Sequence, residues 1–129
     1  CAAPCISIVI GEGGSGGALA LGVGDYITMM EHSTYSVASP EACASIVWRD
    51  STKADLAADA MKLSAESILE LGLIDEIVPE PLGGAHRNFD QTSSNLSKVV
   101  TKSLDELTNL SINSLLEKRY ERLMSYGSI

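Results

Sequence analysis

A chain of 129 residues with 45% hydrophobic content can bury one ordinary core, so the sequence predicts a single compact unit. The net charge is −8, and no Lys or Arg precedes Arg49 whereas Glu12, Asp25, Glu31 and Glu41 do, which argues against nucleic-acid binding. Cys1, Cys5 and Cys43 are odd in number and lack Cys-x-x-Cys spacing, so neither a disulfide framework nor a zinc site is predicted, and no apolar run approaches the roughly 20 residues of a membrane span.

Ile6-Ser7-Ile8-Val9-Ile10 reads as a strand buried on both faces. Such a strand needs parallel neighbours that the chain hardly supplies, so the unit reads as the C-terminal part of something longer. Gly11-Glu12-Gly13-Gly14-Ser15-Gly16-Gly17 follows as a strand-to-helix turn. Ala18 to about Val23 is then a short buried helix, ended by Gly22 and Gly24 in the left-handed region. Five glycines in seven residues predict a close approach to the backbone or a positive φ. Unpaired N–H groups at such a turn bind phosphate or stabilise an oxyanion; the plain alternative is a turn packed against a helix. The P-loop reading fails because Gly17 is followed by Ala18. Gly11 to Gly16 matches the dinucleotide fingerprint by letters, but without the βαβ unit and acidic strand end it requires. Oxyanion stabilisation remains the sharper hypothesis.

Tyr26-Ile-Thr-Met-Met30 predicts a second buried strand, Glu31-His32-Ser33 its exit, and Tyr35-Ser-Val37 a short extended piece, an alternation that argues for a layered α/β fold. Ser39-Pro40-Glu41 starts a helix to about Trp48, apolar enough to require enclosure. Thr52-Lys-Ala-Asp55 is a second capping signature, ahead of Leu56, Ala57, Ala60 and Met61 at helical spacing. Ser64 caps a third helix to Leu71 with Gly72 as its stop, and Leu73 to Val78 is a strand closed by Pro79 and Pro81. After the loop through His86-Arg87 comes a polar tract, Asn88 to Asn95, and then two amphipathic helices. The first carries Leu96, Val99, Val100 and Leu104, the second Leu115, Leu116, Arg119, Tyr120 and Leu123.

The run Ile10 to Asp25 resembles the carboxyltransferase α subunits of bacterial and plastid acetyl-CoA carboxylases, members of the crotonase-like superfamily. The blocks Tyr35 to Trp48, Ile77 to Arg87 and Arg119 to Gly127 resemble the same family, in its order. The resemblance implies a crotonase-like layered α/β fold, with residues 1–88 as the C-terminal part of the core and 89–129 as a helical extension. It implies transfer of a carboxyl group from carboxybiotin, on a biotin carboxyl carrier protein fed by biotin carboxylase, to acetyl-CoA, giving malonyl-CoA. It also implies an α2β2 assembly with a β subunit that carries the zinc, no covalent cofactor in this chain, and a bacterial cytoplasmic or plastid setting.

Overlaying the superfamily's glycine motif puts Gly16 first and Gly17 second as oxyanion N–H donors, with Gly13 and Gly14 offering further N–H groups to substrate. His86-Arg87 is a candidate carboxylate or phosphate contact, against a plain reading as a loop anchor. Superfamily hydratases and isomerases place a catalytic glutamate where this chain has Leu19, which disfavours their chemistry. A Ser15 nucleophile would need His32 or His86 as its base, and neither lies in a motif that places it there. A module that assembles without turnover is the competing reading for the chain alone.

Overall fold

The computed structural model describes residues 1–127. In chain order its elements are β1 (Ile6–Val9), β2 (Glu12–Gly14), α1 (Ser15–Leu21), β3 (Tyr26–Met30), β4 (Thr34–Ser36), α2 (Pro40–Trp48), α3 (Ala54–Met61), α4 (Ala65–Glu70), β5 (Glu76–Val78), α5 (Phe89–Thr108) and α6 (Ile112–Ser125). Single 3-10 turns lie at Ser51–Lys53 and Ala85–Arg87. Strands β1, β3 and β5 form a parallel sheet in the order β1-β3-β5, with Ile6 opposite Tyr26 and Met30 opposite Val78. A second parallel pair, β2 with β4, sets Gly13 opposite Tyr35.

Side chains alternate across the central strand β3, and each face buries a separate cluster. Ile27 and Met29 pack with Ala65, Ile68 and Ile74 on one side, and Met30 packs with Val78 and Val99 on the other. Each fully buried aliphatic side chain contributes on the order of 2 kcal/mol. Helix α4 therefore covers one face and α5 the other.

Several expectations need correction. β1 is an edge strand and only half buried, because nothing among the described residues pairs with its outer side. Helix α1 begins at Ser15, taking Gly16 and Gly17 into its first turn, and buries none of its residues; Leu19 and Leu21 are 71% and 76% exposed. Gly22 ends it at φ −78°, outside the left-handed region, and is glycine for a steric reason: the Tyr35 hydroxyl stands where a Cβ would be. Helix α2 is not enclosed: it packs chiefly against α3 and leaves Ile46 and Val47 exposed.

The capping signature at Thr52 is inverted. Asp50 is the cap, accepting the Thr52 N–H and hydroxyl, which lowers its pKa. Of the strand expected from Leu73, only Glu76–Val78 pairs; Leu73 and Ile74 reach the core from the segment before it. The polar tract is the start of α5. Its polar side chains are fasteners: Asn88 caps Gln91, the Thr92 hydroxyl donates to the Ala85 carbonyl, and the Asn95 amide donates to the Pro79 carbonyl. The expected caps Ser39 and Ser64 accept the N–H groups of Ala42 and Ser67.

Helix α6 is held mainly by charge. Arg119 spans Asp25, Nε to Oδ1 at 2.7 Å and Nη2 to Oδ2 at 2.6 Å, while its guanidinium also donates to the carbonyls of Cys1 and Ala3. Asp25 Oδ2 accepts the Cys5 N–H at 2.7 Å. One turn on, Arg122 Nη1 donates to both oxygens of Asp75 at 2.6 and 2.7 Å, and Asp75 accepts the Ile27 N–H. The Asp25 and Arg119 side chains are 3% and 13% exposed, so removing one partner strands the other away from water. Arg119→Ala is expected to lower unfolding free energy by about 3 kcal/mol, read by urea denaturation. A loss within about 0.5 kcal/mol, the range of an ordinary surface change, would show that the pair does not hold the fold.

Candidate functional site at the carboxyl ends of the strands

In a parallel sheet the loops that leave the carboxyl ends of the strands gather at one edge, where α/β proteins bind ligands. Three loops do so here: the glycine turn after β1, Glu31–Ser33 after β3, and Pro79–Arg87 after β5. The Thr34 N–H donates to the Gly11 carbonyl at 2.9 Å, so the second loop is tied to the start of the first.

Within the turn, the predicted close approach occurs at Gly13, where a Cβ would meet Val9 Cγ1 at 3.1 Å and Tyr35 Cδ2 at 3.2 Å. Gly11, Gly14, Gly16 and Gly17 face open space, and none has a positive φ. The left-handed residue is Ser15, at φ +60°, between the extended Gly14 and the first turn of α1. A non-glycine residue held there costs of order 1 kcal/mol, and such strain clusters at functional sites.

Two grooves flank the turn. One, of about 440 Å³, includes Val9, Ile10, Gly11, Gly13, Gly14 and Tyr35 in its wall. The other, of about 520 Å³, is mostly apolar and includes Ser15, Gly16, Leu19, Val37, Leu123 and Tyr126. Tyr35 borders both, and burial raises the pKa of its hydroxyl, with Tyr126 adding to the rise and Arg122 opposing it. Gly17 lines neither groove.

His86 lies in a third recess with Ile10, His32, Glu80, Gly83, Gly84 and Ala85. Gly83 and Gly84 sit at φ +88° and +101°, so this loop needs glycine to turn. Arg87 is exposed and folds toward Gly83. Gly13, Gly14 and Gly16 thus line the two grooves at the turn, while His86 and Arg87 stand apart, and Ile10 is shared by the first and third recesses. Ser15 lines the apolar groove, whereas His32 and His86 line the third recess. Among the described residues no group of three His, Cys, Asp or Glu is arranged to hold a metal ion.

Sequence reasoning missed Glu80. Its side chain is 6% exposed, and it accepts the His32 N–H at 3.0 Å and the Ala85 N–H at 2.8 Å, with His32 Nδ1 3.4 Å away. Its own N–H donates to Glu31 at 2.9 Å. Burial pushes its pKa up, but the two backbone N–H groups and His32 outweigh this and leave it lowered. The signal was available: an acid between Pro79 and Pro81 at a strand's carboxyl end is placed for more than solubility.

Residues 1–127 match the profile of a family described as acetyl co-enzyme A carboxylase carboxyltransferase-like. The chain belongs to this family. Acetyl-coenzyme A carboxylase carboxyl transferase subunit alpha of Vibrio atlanticus is 62% identical over 124 residues, and that of Methylococcus capsulatus 58%. Each alignment covers 96% of this chain but 39% of the relative, so the chain spans about two-fifths of their length and corresponds to a C-terminal portion. Two solved structures share the fold. One chain of a Pseudomonas malonate decarboxylase hetero-tetramer in complex with coenzyme A gives a TM-score of 0.66 at 17% identity, covering 94% of this chain and 51% of that one. A transcarboxylase 12S hexamer core gives 0.60 at 16%, covering 81% and 20%. The expected crotonase-like α/β fold is therefore the fold of the chain. No described helix is long and apolar enough to cross a membrane.

The lowered pKa of Glu80 sets a pH dependence. Its contribution to stability is full above 4.5, the ordinary glutamate value, and is lost as pH falls through the lowered folded-state value. Glu80→Gln should therefore flatten the fall in thermal midpoint from about pH 6 to about pH 3; equal slopes in both proteins would contradict this.

Proposed function

We propose that this chain is the C-terminal part of a carboxyltransferase α subunit, with Gly16, and Gly17 beside it, supplying N–H groups to an oxyanion while a carboxyl group passes from carboxybiotin to acetyl-CoA. The observation that carries this reading is the glycine turn, with Gly13, Gly14 and Gly16 walling open grooves at the carboxyl edge of a parallel sheet, in a chain of this family. Carboxybiotin releases CO2, the biotin nitrogen takes a proton from the acetyl methyl, and the resulting enolate attacks CO2 to give malonyl-CoA. The enolate oxygen carries the charge that N–H donors must meet, and no carboxylate base is needed where Leu19 stands. His86 and Arg87 contact a carboxylate or phosphate of the substrate.

In this reading residues 1–88 complete the core and 89–129 extend it. The partners are a zinc-bearing β subunit in an α2β2 assembly, the biotin carboxyl carrier protein and biotin carboxylase, in a bacterial cytoplasm or a plastid stroma. Assembly without turnover is the second reading, favoured by the exposed apolar side chains of α1 and α2.

The test uses the full-length α subunit with its β subunit and follows malonyl-CoA-dependent carboxylation of free biotin. A Cβ at Gly16 meets nothing within 4 Å, so Gly16→Val fits within the chain and adds bulk beside the donor. A loss of about 10²- to 10³-fold in kcat is expected, with assembly unchanged on gel filtration. Full activity in an assembled Gly16→Val enzyme would sink the oxyanion assignment, leave the turn as scaffold, and shift the search to the β subunit and to His86 and Arg87.

A further inference from the structure

Glu80 is a buried carboxylate at the ligand-facing edge of the sheet, and its bonds run to two different loops. Through Oε1 it holds the His32 N–H. Two residues later Thr34 bonds the Gly11 carbonyl and opens β4, whose pairing with β2 carries the glycine turn. Through Oε2 it holds the Ala85 N–H, the first residue of the 3-10 turn that bears His86 and Arg87. Reciprocal bonds lock the carboxylate's own backbone: the Glu80 N–H donates to Glu31, and the Glu31 N–H donates to the Val78 carbonyl at 3.0 Å. The Pro79 carbonyl accepts from Asn95 of α5, so the segment carrying Glu80 is fixed from behind as well.

We propose that Glu80 is a positioning residue for carboxyl transfer, holding the His86–Arg87 turn at a fixed place relative to the glycine turn so that both engage one anionic substrate. The proposal rests on the function argued above and adds a residue to it. A carboxylate serves because one group must accept N–H bonds from two loops at once; glutamine offers one such oxygen, and its amide would face one N–H donor to donor. The His32 ring lies 3.4 Å from Oε2, the oxygen that holds Ala85, and His86 packs over Gly84 within the recess.

The experiment is a double-mutant cycle in the assembled full-length αβ enzyme, using malonyl-CoA-dependent carboxylation of biotin well below the unfolding temperature. Glu80→Gln should raise KM for malonyl-CoA by about 10- to 100-fold with a smaller change in kcat, the scale of a small misplacement of contact groups. In a His86→Ala/Arg87→Ala background, which itself should raise that KM, the same substitution should add nothing. A merely structural Glu80 would lower the unfolding temperature and leave KM unchanged. Unchanged KM in Glu80→Gln, a penalty that persists in the double background, or a double background with normal KM each overturns the proposal. If Glu80→Gln does not assemble, Ala85→Pro replaces it. It removes one of the two N–H donors at a position where a helical turn tolerates proline, and the same criteria apply. Gly16→Val, run alongside, reports on the oxyanion assignment separately, since its loss is in kcat.

Discussion

Asp25 and Asp75 each serve two masters, a backbone N–H at the amino end of the sheet and an arginine of α6. The arrangement is economical because a carboxylate has several acceptor sites to fill and one arginine fork does not fill them, a need sharpest at Asp25, whose side chain is 3% exposed against 28% for Asp75. With Cys5 and Ile27 supplying backbone N–H groups, both aspartates are satisfied, and no described buried side-chain polar atom lacks a partner. Much else depends on these clamps. Helix α6 buries only Leu115, so its apolar stripe alone would hold it weakly. Its docking brings Leu123 and Tyr126 into the groove beside Gly16. Tyr126 is fixed in turn by the Arg122 Nε, 2.8 Å from its hydroxyl, with the guanidinium carbon 5.9 Å from the ring centroid.

The two ends of the sheet divide their labour. At the amino ends, charge-assisted bonds pin α6 and the first residues of the chain. At the carboxyl ends, the corresponding carboxylate, Glu80, reaches backbone N–H groups of loops and a histidine that is largely exposed. The first arrangement consumes its cations and is suited to rigidity. The second fixes loops while leaving their outer faces open, as a site that must admit a substrate requires.

Local chemistry was legible in the sequence where a few adjacent residues decide the outcome. Tyr26 to Met30 is a strand as read, and Ser39 and Ser64 cap as read, because a short apolar run and a cap are encoded within a handful of positions. Resemblance carried the fold. What stayed illegible was long-range. Nothing near Asp25 announces Arg119, 94 positions away, and the start of α5 read only as a polar tract ahead of the helices because its fasteners bond to Ala85 and Pro79, outside the helix. The apolar content of α1 and α2 predicts burial, yet both lie exposed among the described residues. Composition specifies that a face must be covered and is silent on which polypeptide covers it.

The charge pattern then constrains how the site can work. Of the positive side chains in the second half, Arg119 and Arg122 are matched by Asp25 and Asp75, and Lys102 reaches Glu76 at 3.4 Å. The first half carries no Lys or Arg before Arg49, and the nearby Arg122 is already engaged by Asp75, so the turn's own residues can meet an anion only through N–H dipoles. Those suit a developing oxyanion, where a fixed donor is worth more than a mobile charge that must desolvate. They are poorly suited to a polyphosphate, whose several full charges need cations. Arg87, on the loop that Glu80 anchors, supplies one such cation at the sheet's carboxyl edge. In the proposed function, a coenzyme A polyanion would therefore draw further positive groups from polypeptide beyond these residues, the division expected of a site built between subunits.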